Sequence, residues 1–349
     1  MSAISAHKPA TRLLAWFDLH GRHDLPWQHP RSAYRVWLSE VMLQQTQVAT
    51  VIPYFQRFIA ALPDIAALAA AKPDDVFALW SGLGYYSRAR RLQEAARICI
   101  RDHHGELPRD FDALLALPGI GRSTAGAILA LAHDLPYPIL DGNVRRVLCR
   151  HRGVRGWPGS AMTQKALWQI AEQQLPDARA ADYTQALMDL GATVCTPTRP
   201  DCMACPLRDD CVALREVITA ELPQRKPSKA LPEREVHALI VRDRDGRTLL
   251  QRRPPVGVWS SLWSLPEAQS PDDAQRWLQR HAHAELFEAL PAINHTFSHY
   301  RLRIHPLLWR DARSRDAIGD TADLRWQSHD ALTEIGLPAP IRKLLERLS

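Results

Sequence analysis

The segment LLALPGIGRSTAGAILALA, residues 114–132, contains two apolar runs separated by a short break with two glycines. The spacing of the apolar residues on both sides of the break predicts a helix, a tight turn and a second helix. Gly119 and Gly121 can adopt a positive φ and leave backbone N–H groups unobstructed beside the start of the second helix. Because such a turn binds phosphate whatever the base sequence, the segment predicts contact with a nucleic-acid backbone.

The charge balance also favours a polyanionic partner. The chain of 349 residues has a formal net charge of +6, and residues 1–230 hold 27 Lys and Arg against 22 Asp and Glu. Part of this excess lies in two clusters, which comprise Arg88, Arg90, Arg91, Arg97 and Arg101, and Arg145, Arg146, Arg150, Arg152 and Arg155. Such clusters are expected where phosphates bind, although arginines that only solvate helix faces would give the same pattern.

The pattern of apolar residues divides the chain into two kinds of structure. Helical periodicity recurs at residues 11–19, 34–48, 53–60, 75–80, 90–100, 110–117, 123–132, 143–150, 163–174 and 180–190. A segment rich in proline and charge follows, and beyond it EVHALIVRD, RTLLQRR and HTFSHYRLRIHPLLW predict strands, whereas DDAQRWLQRH and APIRKLLERL predict helices. We therefore expect a helical domain at 1–220, a linker at 221–233 and a smaller α+β domain at 234–349. The chain has no long apolar run and no secretory leader, which predicts a cytoplasmic protein.

The segment SEVMLQQTQV, residues 39–48, places one carboxylate within a run that is otherwise typical of a buried helix. The apolar stripe of this helix consists of Tyr34, Trp37, Leu38 and Val41. Glu40 lies beside that stripe, and Gln44 and Gln47 continue a polar lane along the same helix. A lone glutamate in this position is most simply explained as a solvated helix edge.

A second carboxylate, Asp141, occurs in ILDGNVRRVLCR at residues 139–150. An aspartate followed by Gly142 and a helical pattern predicts an N-cap. The partial positive charge at a helix N-terminus is expected to lower the pKa of this carboxyl group and keep it ionised.

Four of the six cysteines lie within one short loop, CTPTRPDCMACPLRDDC. They are Cys195, Cys202, Cys205 and Cys211. Without a secretory leader, disulfides are not expected. Four thiolates suit a tetrahedral zinc ion, but zinc ribbons usually have two C-x2-C knuckles, whereas this loop has one. A single loop with all four thiolates also suits a [4Fe–4S] cluster, which we favour while zinc stays open.

These motifs occur in the same order in MutY-type adenine DNA glycosylases, which the chain resembles over essentially its whole length. The stretch LPGIGRSTA is similar to the helix-hairpin-helix of the base-excision glycosylase superfamily. The resemblance implies a mostly α helix-hairpin-helix module with a [4Fe–4S] loop, followed by a Nudix-like α+β domain. Its expected function is removal of adenine mispaired with 8-oxoguanine or guanine. Expected properties are binding of double-stranded DNA as a monomer and no membrane association.

The resemblance also implies catalytic roles. Glu40 would protonate N7 of a flipped-out adenine, and Asp141 would stabilise the positive charge on the sugar or handle the attacking water. Superfamily members that also cut the strand have a lysine at the position of Ser123. Because a hydroxyl group cannot form an imine with the sugar, Ser123 implies base removal without efficient strand cleavage.

Further positions are assigned DNA contacts by the resemblance. Tyr85 would be the aromatic wedge in the base stack, and Gln45 would fill the stack near the flipped base. Trp27 and Gln185 would line the adenine pocket, although Trp27 could be core and Gln185 an exposed amide. In the C-terminal domain, Phe297, Ser298 and His299 would read 8-oxoguanine. The stretch that corresponds to the Nudix metal-binding box has Glu267 as its only glutamate, so nucleotide hydrolysis is not expected.

Overall fold

The computed structural model describes residues 7–226, 230–284, 287–314 and 323–348, so part of the expected linker, residues 227–229, lies outside the described residues. The chain divides into two units. One, the helical unit, comprises Met1–Ala70 and Arg91–Ser228, and the other, the sheet unit, comprises Ala71–Arg90 and Lys229–Ser349. The grouping of residues 71–90 with the C-terminal residues is not visible in the sequence pattern.

The helices, in chain order, are α1 (His7–His20), α2 (Ala33–Leu43), α3 (Val48–Ala61), α4 (Ile65–Ala70), α5 (Pro73–Trp80), α6 (Ser87–Asp102), α7 (Phe111–Ala116), α8 (Arg122–His133), α9 (Gly142–Arg152), α10 (Ala161–Gln173), α11 (Ala180–Asp189), α12 (Val212–Arg215), α13 (Pro271–His281) and α14 (Ala339–Glu346). A π-helical turn, Leu190–Val194, extends α11, and short 3-10 helices occur at Arg208–Asp210 and Asp330–Glu334. No helix of the described residues is long and apolar enough to cross a membrane.

Helix α2 has the expected buried face but ends sooner than expected. Its N-cap Ser32 accepts a hydrogen bond from the N–H of Arg35 at 3.2 Å, and the apolar stripe predicted from sequence is buried throughout. The prediction that the helix continues through residue 48 is wrong. Gln45 adopts a left-handed backbone with φ +60°, so residues 44–47 form a turn and α3 begins at Val48. Gln44 and Gln47 therefore do not continue a polar lane on α2.

The predicted helix-turn-helix is confirmed by α7 and α8. Asp110 caps α7 by accepting the N–H of Ala113 at 2.8 Å. Gly119 has φ +83°, and a Cβ atom there would lie 3.0 Å from the Cβ of Arg91, so glycine is required. Gly121, which precedes α8, has an extended backbone with φ −97°, and the expected positive φ is therefore confirmed for Gly119 alone.

The sheet unit contains the strands β1 (Glu233–Asp243), β2 (Thr248–Arg252), β3 (Trp263–Ser264), β4 (Glu267–Ala268), β5 (Ala282–His283), β6 (Glu288–Ala289), β7 (Ile293–Thr296), β8 (Arg301–Ser314) and β9 (Leu324–Gln327). The sheet is mixed, because the long strands β1 and β8 run parallel whereas β7 and β8 pair as an antiparallel hairpin. Alternate residues of β1 face opposite cores, one shared with α14 and the other with α13. The predicted strands and helices of this region are confirmed.

Candidate active site

Glu40 lies in the last turns of α2, the helix that packs against α8 of the hairpin. Its side chain is partly buried, between the fully buried Trp37 and the partly exposed Leu43. Burial, together with the nearby charge of Asp141, raises the pKa of Glu40 from an ordinary value of 4.5 to about 8. Glu40 is therefore protonated at neutral pH and can donate a proton, as a general acid must.

Asp141 caps α9, as predicted. Its Oδ1 accepts the N–H of Val144 at 2.7 Å, and its Oδ2 accepts a longer hydrogen bond from the amide of Asn143 at 3.4 Å. The expectation that the helix terminus lowers the pKa of Asp141 is wrong. Burial raises the pKa, and it outweighs the opposing effects of the backbone N–H groups of Val144 and Asn143 and of the charges of Arg146 and Arg145. Desolvation of the carboxylate therefore raises the pKa by more than the helix N-terminus lowers it.

Glu40 and Asp141 repel each other when both are ionised, so their surroundings decide which of them holds a proton. Asp141 has two N–H donors and two nearby arginines, all of which favour its carboxylate. For Glu40, both burial and Asp141 favour the neutral acid. At neutral pH a protonated Glu40 therefore lies beside Asp141, whose hydrogen bonds and neighbouring arginines oppose the effect of burial and favour its carboxylate.

Ser123 connects the hairpin to this pair. It lies in the first turn of α8, and its Oγ accepts the backbone N–H of Leu140 at 3.0 Å. Leu140 is fully buried and directly precedes Asp141. The hydroxyl therefore positions the backbone from which the carboxylate projects.

Trp27 and Gln185 are both buried in the helical unit. The Trp27 ring packs edge-on against Phe55, with ring centroids 5.5 Å apart. Gln185 donates to Asp189 at 2.8 Å, so the alternative of an exposed amide is wrong. Asp189 is itself only 1% exposed and accepts three hydrogen bonds from Arg22, a pairing across the chain that no local sequence signal indicates. Gln45, in contrast, is exposed at the end of α2.

Two arginines of the second predicted phosphate-binding cluster bind the cysteine loop instead. Arg150, which is 3% exposed, donates to Thr196 O at 2.6 Å, Pro197 O at 2.9 Å and Cys195 Sγ at 3.5 Å. Arg146 donates to Cys195 O at 2.7 Å. In the first cluster, the guanidinium groups of Arg88, Arg90, Arg97 and Arg101 also bind protein oxygens. For Arg88, Arg146 and Arg150, whose side chains are buried or partly buried, a structural role replaces the predicted phosphate contact.

The four loop cysteines line one small cavity together with Arg150, Pro200 and Leu214. Among the described residues, no three His, Cys, Asp or Glu side chains converge closely enough to hold a single metal ion. Burial raises the pKa of Cys205 to about 12 and also raises the pKa values of Cys202 and Cys211. Burial therefore favours the protonated thiol over the thiolate at these three positions.

In the sheet unit, the predicted wedge and the predicted lesion-reading residues lie at one cavity of about 400 Å³. Tyr85 has φ +49° and is 51% exposed, whereas Tyr86 is buried and donates to Leu337 O at 3.1 Å. Between β7 and β8, Phe297 is partly buried, while Ser298 and His299 are exposed. The backbone N–H of Phe297 donates to Tyr300 O at 2.9 Å and closes the turn.

Glu267 and the start of α13 lie in the region where a Nudix fold has its metal-binding box. Glu267 forms an ion pair with Arg253, and the first turn of α13 provides only Asp272 and Asp273. No cluster of carboxylates that could bind a metal ion forms around them among the described residues.

Comparison with known proteins agrees with this geometry. The profile of the HhH-GPD superfamily of base excision DNA repair proteins matches residues 38–173, and a NUDIX domain profile matches residues 237–347. The adenine DNA glycosylase of Buchnera aphidicola subsp. Acyrthosiphon pisum is 38% identical over 335 residues, which cover 96% of this chain and 95% of the relative. The adenine DNA glycosylase of Mus musculus is 37% identical over 385 residues, with 91% of this chain and 74% of the relative covered. The structure of a thermostable thymine-DNA glycosylase, 28% identical, superposes with a TM-score of 0.56 and covers 62% of this chain and 100% of that chain.

The helix-hairpin-helix and the superfamily profile that matches it define the class, a base-excision DNA glycosylase. Within that class, the chain belongs to the adenine DNA glycosylase family.

Proposed function

We propose that this enzyme removes adenine mispaired with 8-oxoguanine, and more weakly with guanine, without cutting the strand. The observation that carries the proposal is the pair of carboxyl groups, in which a protonated Glu40 lies close enough to Asp141 for the charges to interact. An acid beside a carboxylate suits cleavage of an N-glycosidic bond through an oxocarbenium-like state. The adenine must leave the base stack to reach them, which costs least at a mispair.

The chemical step then follows from the two side chains. Glu40 transfers its proton to N7 of adenine, and the electrons of the bond between the sugar C1′ and N9 move into the base. The carboxylate form of Asp141 stabilises the cationic sugar, and water adds to C1′ with loss of its proton to a carboxylate. Because Ser123 provides no amine, no imine forms with the opened sugar, and the strand stays intact.

A cavity in the sheet unit supports 8-oxoguanine as the base opposite the excised adenine. A cavity lined by Tyr85, Phe297, Ser298 and His299 offers aromatic faces for a base and hydrogen-bonding groups for its edge. The Ser298 hydroxyl lies 3.4 Å from Nδ1 of His299, and both side chains are exposed, so a base can approach them. We assign these residues the recognition of 8-oxoguanine opposite the excised adenine.

We further propose that Cys195, Cys202, Cys205 and Cys211 hold a [4Fe–4S] cluster. All four cysteines line one cavity, and a single loop with four thiolates suits such a cluster. When bound, the cluster stabilises the fold of the loop through iron–thiolate bonds. The chain itself contributes the backbone and thiol contacts of Arg146 and Arg150.

The test is single-turnover cleavage of labelled duplexes that differ at one pair: adenine opposite 8-oxoguanine, guanine or thymine. Each reaction is read with and without hot alkali. The proposal predicts breaks only after alkali, fastest for the 8-oxoguanine pair and absent for the thymine pair. Breaks without alkali, or equal rates for all three pairs, would contradict it.

A further inference from the structure

Phe297 is at the centre of an aromatic cluster in the sheet unit. Its ring lies 5.1 Å from Trp259, 4.6 Å from His295 and 4.7 Å from Tyr300, measured between ring centroids. Trp259 also contacts His295, at 5.5 Å. Because Ser298 and His299 follow Phe297 directly in a tight turn, the position of the Phe297 ring fixes where these two exposed side chains project.

Trp259 comes from a different segment, the loop between β2 and β3, and the backbone of this loop is strained. Gly257, Trp259 and Ser261 have φ values of +92°, +55° and +64°. A left-handed backbone is unfavourable for a tryptophan or a serine, and it persists only where surrounding contacts hold it. Such strain is typical of loops whose exact shape is used for function.

The contacts that hold this loop come partly from α6, close to the wedge. The Arg90 guanidinium group donates to Pro255 O and, at 3.3 Å, to the Ser260 hydroxyl. Arg90 lies five residues after Tyr85 and three after the start of α6. One arginine therefore connects the segment that carries the exposed Tyr85 to the loop that carries Trp259.

We propose that Trp259 is a positioning residue for specificity: it holds Phe297, and through it Ser298 and His299, in the conformation that distinguishes 8-oxoguanine from guanine. This inference rests on the proposed function, since it presumes that the cavity reads the base opposite adenine. Arg90 has a supporting role, because it fixes the loop from which the indole projects. Trp259 touches neither the adenine nor the two catalytic carboxyl groups in this account.

The experiment measures the preference for adenine opposite 8-oxoguanine over adenine opposite guanine, as a ratio of kcat/KM values. We expect Trp259→Ala to reduce this ratio by about tenfold or more, mainly by loss on the 8-oxoguanine duplex, because a truncated ring no longer supports Phe297. Trp259→Phe retains a ring and should restore part of the preference. Trp277→Ala is the matched control: Trp277 is also partly buried in this unit, stacks on His281 of α13 and does not line the cavity.

A double-mutant cycle separates positioning from general destabilisation. If Trp259 acts by placing the loop, its removal should have little further effect on the ratio once Ser298→Ala has been introduced. Fully additive losses, or a Trp259→Ala variant that keeps the wild-type ratio, would overturn the inference while leaving the proposed function intact. If the wild-type protein shows no preference for the 8-oxoguanine pair, the proposed function fails and this inference fails with it.

Discussion

The raised pKa of Glu40 predicts that this residue destabilises the folded protein at neutral pH. Because the folded-state pKa of about 8 exceeds the ordinary value of 4.5, the folded protein keeps a proton that the unfolded chain releases between these pH values. The free energy of unfolding therefore falls as the pH rises through this window. Compared with a protein in which Glu40 stays protonated in both states, the free energy of unfolding is lower by about 1 kcal/mol near pH 5 and by about 3 kcal/mol at pH 7.

Glu40→Gln tests this directly, because the amide resembles the protonated acid in shape but cannot ionise. The variant should be more stable than the wild type by about 3 kcal/mol at pH 7, which corresponds to a Tm higher by roughly 5–10 °C for a unit of this size. Near pH 5 the difference in stability between the variant and the wild type should be about a third of its value at pH 7. The assay is thermal unfolding of both proteins at the two pH values under one scan rate.

The matched control is Glu94→Gln, which removes an exposed carboxylate from α6 of the same chain. This variant should leave the Tm within about 1–2 °C of the wild type at both pH values. A Glu40→Gln protein that is no more stable than the wild type at pH 7, or whose gain is the same at both pH values, would refute the argument that Glu40 is held protonated.

Three further predictions concern the scaffold around the carboxylate pair. Gly119→Ala should weaken the binding of all duplexes alike and lower stability by about 1–2 kcal/mol, because φ is +83° there; an unchanged duplex affinity in a binding titration would argue against a role of this turn in binding phosphate. Ser123→Ala should slow single-turnover excision without a matching loss of affinity, since the N–H of Leu140 loses its acceptor; unchanged rates would argue against the positioning role. Cys202→Ser should reduce the iron content of purified protein and its visible absorbance, and an unaltered iron content would exclude Cys202 as a ligand.

Much of the fold could be predicted because local patterns determine it. The apolar stripe of α2, the glycine turn before α8 and the capping position of Asp141 each follow from residues a few positions apart. The strands β1 and β8 were visible as alternating or continuous apolar runs. These features depend on helix and strand periodicity, which the sequence displays directly.

What could not be predicted depends on burial and on contacts between distant residues. The pKa of Asp141 was expected to fall because a helix terminus is visible in the sequence, whereas the burial that raises it is not. Arg146 and Arg150 were indistinguishable from phosphate-binding arginines until their partners in the cysteine loop were known. The end of α2 at Leu43 was missed because a left-handed glutamine has no sequence signature.

Glu40 is the proposed acid in adenine removal. The most direct test is the single-turnover rate of excision from a duplex with adenine opposite 8-oxoguanine, measured across pH for the wild type and for Glu40→Gln at saturating enzyme. We predict that the wild-type rate falls by about tenfold per pH unit above a pKa near 8, and that the variant binds the duplex but reacts about 100-fold or more slowly than the wild type below that pH. A variant with a near-wild-type rate, or a wild-type rate that does not fall above that pH, would contradict the account.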